Sequence, residues 1–491
     1  MIPTDELADF YTYIAHRRAK WRERNGYYHA EIARLLRGRI EPGQRVLEVG
    51  CGLGDTLAAM EPSRGVGVDL SPEMTRRARE RHEGLEFVTA DAHQLDLGEQ
   101  FDVAILNDTI MDLEDIQIAL AAVRGHMAPG GRILLTHYNY LWEPALKIAE
   151  DLGLRQPHRL QNWITRGDVA NLLDLADFRV SKTGSALLWP KRWPGAGLLN
   201  RFLAPLLPRL CLVHWTEAVP VEPAEVKPLK CSVVVPCRDE AGNIRPIVDR
   251  LPELGAGTEL IFVDGASTDG TSEVIQAEIE RTKGTHDIKY VKQDPDLGKG
   301  DAVRKGFAVA TGDIHIILDA DMTVPPEDLP KFVRVMATGK ARFVNGTRLV
   351  YQLEDQSMRF LNLLGNKFFS LAFTWLLGRR VRDTLCGTKV WFAEDWPRLL
   401  EARQVFGEFD PFGDFDLLFG ASWLDLPLVE VPVRYRRRTF GQSKIHTFSH
   451  GLLLFRMTWQ GFKLLKWRRP ARPESPPSDP PSDPPNEPPE A

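Results

Sequence analysis

The chain has 491 residues, a formal net charge of −5, five cysteines and 26% charged side chains. That length exceeds one ordinary core, so at least two domains are expected. The mild charge argues against a nucleic-acid binder, and cysteines without a CxxC pair argue against a disulfide framework or a zinc site.

The chain opens on MIPTDELADFY, acidic and without an apolar leader. No apolar run approaches about 20 residues, so no membrane span is expected, and the chain reads as cytoplasmic with reduced thiols. No solenoid repeat recurs. Residues Asp5 to Arg39 read as helical and polar and lead to the turn Glu41-Pro42-Gly43. In RVLEVGCGLGDTL, Val46–Val49 is a strand, and Gly50, Gly52 and Gly54 form a tight loop into a helix. Glycine lets a ligand approach the backbone, and a helix N-terminus offers free N–H groups. Strand Gly65–Val68 ends in Asp69, where an acid can hold ribose hydroxyls. Ser71-Pro72-Glu73 starts a helix as N-cap and first-turn proline.

Strand Glu86–Thr89 leads to Asp91, and Phe101–Leu106 to Asn107 and Asp108. Pro129-Gly130-Gly131 turns into a fifth strand, Arg132–Thr136. Alternating strands and helices predict a mostly parallel sheet. His137, Tyr138, Asn139 and Tyr140 follow, either facing a second substrate or serving the fold. Asp168–Ala176 reads as a helix, Phe178–Leu188 as a strand and Cys211–Val221 as a closing strand. Between these strands Trp189–Pro208, rich in Pro, Trp and Leu, is either an acceptor lid or a packed excursion.

The glycine loop is not the dinucleotide pattern GxGxxG, since Asp55 occupies the last position. Glu48-x-Gly50-x-Gly52-x-Gly54 resembles motif I of the class I S-adenosylmethionine-dependent methyltransferases. The resemblance runs through Asp69, Asp91-Ala92 and the Pro-Gly-Gly turn, over approximately residues 26–220. It implies S-adenosylmethionine as cofactor. Gly50, Gly52 and Gly54 would approach the methionine part, Asp69 the ribose, and Asp91 with Ala92 the adenine. Glu48 would support the loop or the methionine ammonium. Methyl transfer depends on alignment more than on a dedicated catalytic residue, and no motif names the acceptor.

Val221–Lys230 is a Pro- and charge-rich linker. Strand Cys231–Val235 is closed by Pro236, and Asp239 and Glu240 open a helix. Strand Glu259–Val263 ends in Asp264 before the turn GASTDGT. Ile288–Val291 is the next strand, and Gly298-Lys299-Gly300 leads a helix. The fourth strand, Ile314–Leu318, carries Asp319 and Asp321 and is stopped by Pro325 and Pro326. One residue apart, the two carboxylates leave an extended backbone on the same side. They suit a divalent cation that also holds a diphosphate, or else simply favour the turn. Glu240, Asp264, Lys299 and Asp319/Asp321 thus line one edge of a parallel sheet, where ligands bind in open α/β sheets.

Together these features resemble the nucleotide-sugar half of the family 2, GT-A-fold glycosyltransferases. Where that family has a VDD-like second strand, this chain reads Val263-Asp264-Gly265, which removes one base or ribose contact. NGTR at Asn345–Arg348, DTLCGTK at Asp383–Lys389 and RTFGQSK at Arg438–Lys444 resemble the dolichol-phosphate mannosyltransferase-like branch, over approximately residues 229–466. The resemblance implies a nucleotide-sugar donor at Pro236, Glu240, Asp264, Lys299 and Asp319, with Mg or Mn on Asp319 and Asp321. Arg438, Ser443 and Lys444 would close over phosphates, and Arg348 and Arg359 would meet acceptor or donor phosphates. The reaction would be an inverting displacement resting on Asp321, Asp383, Asp416, Arg438 and Lys444, with Asp383, Asp414 and Asp416 as candidate bases. The resemblance implies that the acceptor would be a polyprenyl phosphate, which is already ionised, or a glycan hydroxyl.

His450–Trp467 is apolar with Arg456, Lys463 and Lys466 interleaved, too short and too charged to span a bilayer. It is either a basic amphipathic helix on a membrane surface or packed on the catalytic domain. Pro470–Ala491 is Pro-rich and expected to be disordered.

The expected architecture is α/β, with two Rossmann-like domains: 1–222 with the methyltransferase fold and 229–448 with the glycosyltransferase fold. A basic C-terminal helix (449–469) and a disordered tail (470–491) follow. The expected function is a bifunctional transferase of one pathway. In the alternative, the first domain is a non-catalytic binding or scaffold module. The expected location is the cytoplasm, or the inner face of the cytoplasmic membrane as a peripheral protein.

Overall fold

A computed structural model describes residues 4–159, 161–295, 297–351, 360–379, 381–406, 414–438, 440, 455–456 and 458–468. Arg359, Ser443, Lys444, the tail 470–491 and the side chain of Asp414 lie outside the described residues. The chain divides into two compact units: Met1–Glu225 with Arg348–Ser357 and Pro432–Arg436, and Val226–Thr347 with Met358–Val431 and Arg437–Ala491. The expectation of two α/β domains holds, each built on a seven-stranded sheet.

In the first unit the strands are β1 (Arg45–Val49), β2 (Arg64–Asp69), β3 (Glu86–Thr89), β4 (Phe101–Asn107), β5 (Met127–Tyr138), β6 (Phe178–Ala186) and β7 (Val213–Pro220). Their order is β3-β2-β1-β4-β5-β7-β6. The first five are parallel, and β7 runs antiparallel to β5 and β6. Val46, Leu47, Val103, Ala104 and Ile105 are wholly buried, as in central strands covered on both faces. The strand order reverses between β1 and β4, which puts the ligand-binding switch point at their C-terminal ends. Val350 and Tyr351, from later in the chain, join this unit's apolar core, and the Tyr351 hydroxyl donates to Asp115 Oδ1 at 3.3 Å.

Three local expectations change. The helical stretch Asp5–Arg39 is two helices, Thr4–Arg24 and Gly26–Arg37, separated at Asn25. The fifth strand starts at Met127, so Pro129-Gly130-Gly131 sits inside it as an irregularity opposite the register shift between Phe101 and Val103. The sixth strand ends at Ala186 because Leu187 takes a φ of +64°, which an extended ladder does not accommodate.

In the second unit the strands are β8 (Cys231–Cys237), β9 (Thr258–Asp264), β10 (Asp287–Lys292), β11 (Ile314–Ile317), β12 (Phe343–Thr347), β13 (Lys389–Phe392) and β14 (Leu428–Pro432). The order is β10-β9-β8-β11-β13-β12-β14. β10, β9, β8 and β11 are mutually parallel, and β13 is antiparallel to β11 and β12. Val234, Ile261, Ile317, Phe343, Trp391 and Phe419 anchor the core.

The helix Phe360–Leu377, which the sequence reading did not assign, adds Phe369 and Phe373 to this core. The C-terminal segment packs partly on it. Phe462 stacks on Trp375 at 5.8 Å, Phe455 meets Phe369 edge-on at 5.1 Å, and Leu464 and Leu465 lie against the core. Trp459 and Trp467 remain more than half exposed. Among the described residues no helix is long and apolar enough to cross a membrane.

Candidate active sites

In the first unit the glycine loop between β1 and the helix Asp55–Ala58 has positive φ at Gly50, Gly52 and Gly54 (73°, 53° and 76°), a region that favours glycine. A side chain at Gly50 would meet Thr109 at 2.3 Å, and one at Gly54 would meet Phe87 at 2.5 Å. Gly52 instead faces space, with Arg18 at 3.8 Å. Its N–H donates to Asp69 Oδ2 at 2.8 Å, while the Ser71 N–H donates to Asp69 Oδ1 at 2.9 Å. Asp69 keeps part of its surface toward a cavity but is enclosed enough for desolvation to raise its carboxyl, against the pull of those two N–H groups. Glu48 is buried and accepts the Leu57 N–H at 2.9 Å. Burial pushes its carboxyl up to about 8, although Arg22 opposes the shift. Glu48 also lines the cavity at these strand ends.

A cavity of about 310 Å³ opens at these strand ends, walled by Gly50–Gly52, Asp69, Asp91, Ala92, Thr109 and Tyr138. Asp91 Oδ1 accepts the His93 N–H at 3.0 Å and pairs with His93 Nδ1 at 2.5 Å, which holds its carboxyl below the usual range. The switch point, the loop and both acids therefore meet around one space.

The opposite wall was not anticipated. Thr4, Leu7, Tyr11, Arg18, Arg22 and Asn25 of the N-terminal helical region line the cavity. Their spacing is that of one helix face, a signal present in the sequence. Arg18 donates to Gln156 Oε1 at 2.6 Å, and the Arg155 guanidinium lies over the Tyr138 ring at 4.8 Å. The Tyr28 hydroxyl donates to Asp108 Oδ2, and Asp108 Oδ1 accepts from Thr136 Oγ1 at 3.0 Å. Burial raises the Asp108 carboxyl.

Of the four residues after the fifth strand, only Tyr138 lines the cavity. His137 is fully buried beside His214, with neither ring nitrogen hydrogen-bonded. Asn139 donates to Arg209 O and Cys211 O at 2.8 and 2.9 Å, a role in the fold. Tyr140 is exposed.

In the second unit, β8, β9, β10 and β11 bring their C-terminal ends to one edge, where two chains of ion pairs form. Lys299 Nζ lies 2.6 Å from Asp319 Oδ1. The Arg438 guanidinium lies 2.6 Å from Asp321 Oδ2 and 4.0 Å from Glu240 Oε1. Asp321 Oδ1 accepts from the Thr323 N–H at 3.0 Å and from its hydroxyl at 2.8 Å. The structure thus gathers Glu240, Lys299, Asp319, Asp321 and Arg438. Asp264 is buried in a different role: it accepts from the Ser267 hydroxyl and from Ser272 Oγ at 2.5 Å, and so shapes the turn after β9. Pro236 pairs with Val263 within the sheet. Arg348 belongs to the first unit, where it lies over the Tyr435 ring at 5.1 Å.

The two described candidate bases are enclosed. Asp383 is fully buried and its Oδ1 accepts the Leu385 N–H at 3.0 Å. Asp416 is 4% exposed and lies 3.3 Å from Arg403. Three supporting residues were given no role of their own by the sequence, although Asn345 and Gly387 stand inside the motifs NGTR and DTLCGTK. A side chain at Gly387 would meet Asp319 Oδ2 at 2.0 Å, so glycine lets DTLCGTK lie against that carboxylate. Glu430 accepts the Arg382 and Asp383 N–H groups at 2.8 and 3.3 Å, and burial pushes its carboxyl up to about 7. Asn345 donates to Asp383 O at 2.8 Å. Such roles depend on contacts between distant segments and leave no local pattern. Among the described residues no three His, Cys, Asp or Glu side chains cluster as a metal cage.

Residues 19–183 match the family model "Methyltransferase domain", and residues 232–392 match "Glycosyl transferase family 2". The chain therefore carries two transferase domains, in that order. It is similar to a dolichol-phosphate mannosyltransferase of Pyrococcus furiosus, 26% identical over 245 residues, covering 49% of this chain and 64% of the relative. It is also similar to an undecaprenyl-phosphate 4-deoxy-4-formamido-L-arabinose transferase of Sodalis glossinidius, 34% identical over 221 residues, covering 44% of this chain and 62% of the relative. The matched curated relatives are thus spanned over less than two thirds of their own length. Among solved structures, it is similar to glucosyl-3-phosphoglycerate synthase of Mycobacterium tuberculosis (20% identity, TM-score 0.36, 48% of this chain and 79% of that one). It is likewise similar to magnesium protoporphyrin IX methyltransferase of Synechocystis (16%, TM-score 0.32, 44% and 99%).

Proposed function

We propose that the second unit transfers a sugar from a nucleotide-sugar donor to a polyprenyl phosphate, with inversion, and that the first unit transfers a methyl group from S-adenosylmethionine within the same pathway. The observation that carries the first half is the pairing of Lys299 with Asp319, and of Arg438 with Asp321, at one sheet edge. Two carboxylates one residue apart, in the turn that follows β11, suit Mg or Mn, which would take further oxygens from a diphosphate and offset the charge growing on it. On our reading Lys299 and Arg438 then turn from the carboxylates to phosphate oxygens, the guanidinium fork being suited to them. Glu240, held by Asn243 at 2.6 Å, positions the nucleotide end, and Asp264 contributes through the turn it shapes. Arg348, Arg359, Ser443 and Lys444 are assigned to phosphates by motif alone. A polyprenyl phosphate is favoured over a hydroxyl acceptor because Asp383 and Asp416 are buried and partnered, and an ionised phosphate needs no base. The two curated relatives described above bear polyprenyl-phosphate transferase names, which supports the same class.

For the first unit, the cavity joins an open Gly52, Asp69 and Asp91-Ala92, which suits a nucleoside with a charged amino-acid arm. In this reading Asp69 holds the ribose, Asp91 and Ala92 the adenine, and Gly50, Gly52 and Gly54 the methionine part.

The deciding experiment incubates the full chain and Mn with a panel of nucleotide sugars, with and without a polyprenyl phosphate, and reads released nucleoside diphosphate and labelled lipid. Sugar transferred only to a water-soluble hydroxyl would end the lipid reading. Calorimetry with S-adenosylmethionine tests the other half: no binding to folded protein would leave the scaffold alternative.

A further inference from the structure

The excursion between β6 and β7 is fixed from beneath and apolar outside. Asn200 Oδ1 accepts the N–H groups of Leu188 and Trp189 at 2.8 and 3.0 Å, and its Nδ2 donates to Trp189 O at 2.9 Å and to the Tyr27 hydroxyl at 3.0 Å. Ala196, Ala204 and Cys211 are buried. The large side chains lie on the outside: Trp193, Leu198, Phe202, Leu206 and Leu210 are 49–73% exposed. Scattered exposed leucines need no explanation, but an ordered run of this density marks a binding surface. The surface continues onto exposed Tyr140 and Leu141, because Trp142 Nε1 donates to Leu210 O at 3.0 Å.

Charge selects the occupant. From Phe178 to Thr216 the chain has no Asp or Glu but carries Arg179, Lys182, Lys191, Arg192, Arg201 and Arg209. Arg192, Arg201 and Arg209 are exposed among the apolar side chains. Apolar groups that enter the acyl boundary, with guanidinium groups at phosphate level, complement an anionic bilayer. A second copy packed about a two-fold axis would set the same arginines against one another.

We infer that Trp189–Leu210 docks the first unit on a bilayer bearing anionic lipid. Pro190 and Lys191 belong to both this excursion and the cavity wall, so a molecule resident in that bilayer reaches the cavity directly. Resting on the methyl-transfer reading above, this makes the methyl acceptor an amphiphile. The docking itself does not depend on that reading and is separate from any contribution of the C-terminal segment.

All five native cysteines are buried, so Phe202→Cys in the full chain can carry an environment-sensitive fluorophore, with exposed Glu83→Cys as the control. Vesicles of phosphatidylglycerol and phosphatidylcholine should blue-shift the label at 202 and raise its emission several-fold. They should leave the label at 83 unchanged, and pure phosphatidylcholine should have little effect. Adding Trp193→Glu and Leu206→Glu should abolish the response while the thermal midpoint stays within a few degrees. A label at 202 that stays in water while the protein pellets with vesicles would overturn the proposal. So would a vesicle-free shift that grows with protein concentration and doubles the scattering mass, which would assign the face to a second copy. Docking without S-adenosylmethionine binding in calorimetry would overturn the amphiphile inference alone.

Discussion

Asp69 binds two backbone N–H groups at the point where a ribose would sit. Asp69→Ala should weaken S-adenosylmethionine binding about tenfold or more, since hydrogen bonds to a charged group are worth roughly 1.5–3 kcal/mol. Calorimetry on the full chain reads this, and unchanged affinity would remove Asp69 from the site. Asp321 is the corresponding residue in the second unit. Asp321→Ala should abolish sugar transfer, and activity surviving both this change and excess chelator would sink its assignment to a cation. Glu48 allows a pH test. In the folded chain its carboxyl keeps its proton up to about 8, against 4.5 for the ordinary group. Its contribution to stability is therefore full below about 4.5 and lost as pH rises toward 8. Glu48→Gln should flatten that slope in denaturant unfolding at pH 5.5 and 8.5, and an unaltered slope would place its origin elsewhere.

At the scale of elements, the antiparallel seam of β5 and β7 holds two histidines that remain neutral. Burial lowers His137 to about 3 and His214 to about 4. An unfolded histidine accepts a proton below about 6.5, so the folded chain loses stability as pH falls from there toward 4. His137→Leu should raise the unfolding midpoint more at pH 5 than at pH 8, because it removes both the refused proton and a buried imidazole without partners. The loop after β1 should be less tolerant. Gly50→Ala adds a methyl 2.3 Å from Thr109 at a positive φ, and strain of this kind costs on the order of 1–3 kcal/mol before any clash.

For the whole molecule, each unit has its own sheet and its own apolar core. Asp321→Ala should therefore leave S-adenosylmethionine binding intact, and Asp69→Ala should leave nucleotide-sugar turnover intact. Loss of both functions in either variant would argue for an obligatory coupling. The unit division also departs from contiguous domains, since Arg348–Ser357 and Pro432–Arg436 group with the first unit.

What the sequence determined by itself was local and repetitive. Strand–glycine–helix punctuation, acids at strand ends and the paired aspartates on alternate residues follow from backbone period and turn chemistry, so they were legible in order along the chain. They yielded both folds and the position of Asp69 at a strand end, whereas β11 stops at Ile317 and Asp319 and Asp321 lie in the loop and turn beyond it rather than on extended backbone. The tertiary structure decided what depends on who meets whom. It turned one face of the N-terminal helical region into a cavity wall and set Gly387 against Asp319. It enclosed Asp383 and Asp416 and buried His137 between strands. In Trp189–Pro208, Asn200 and buried small residues hold the backbone down, and that leaves the large side chains outside. Burial is a property of neighbours brought from distant positions, and no local pattern encodes it.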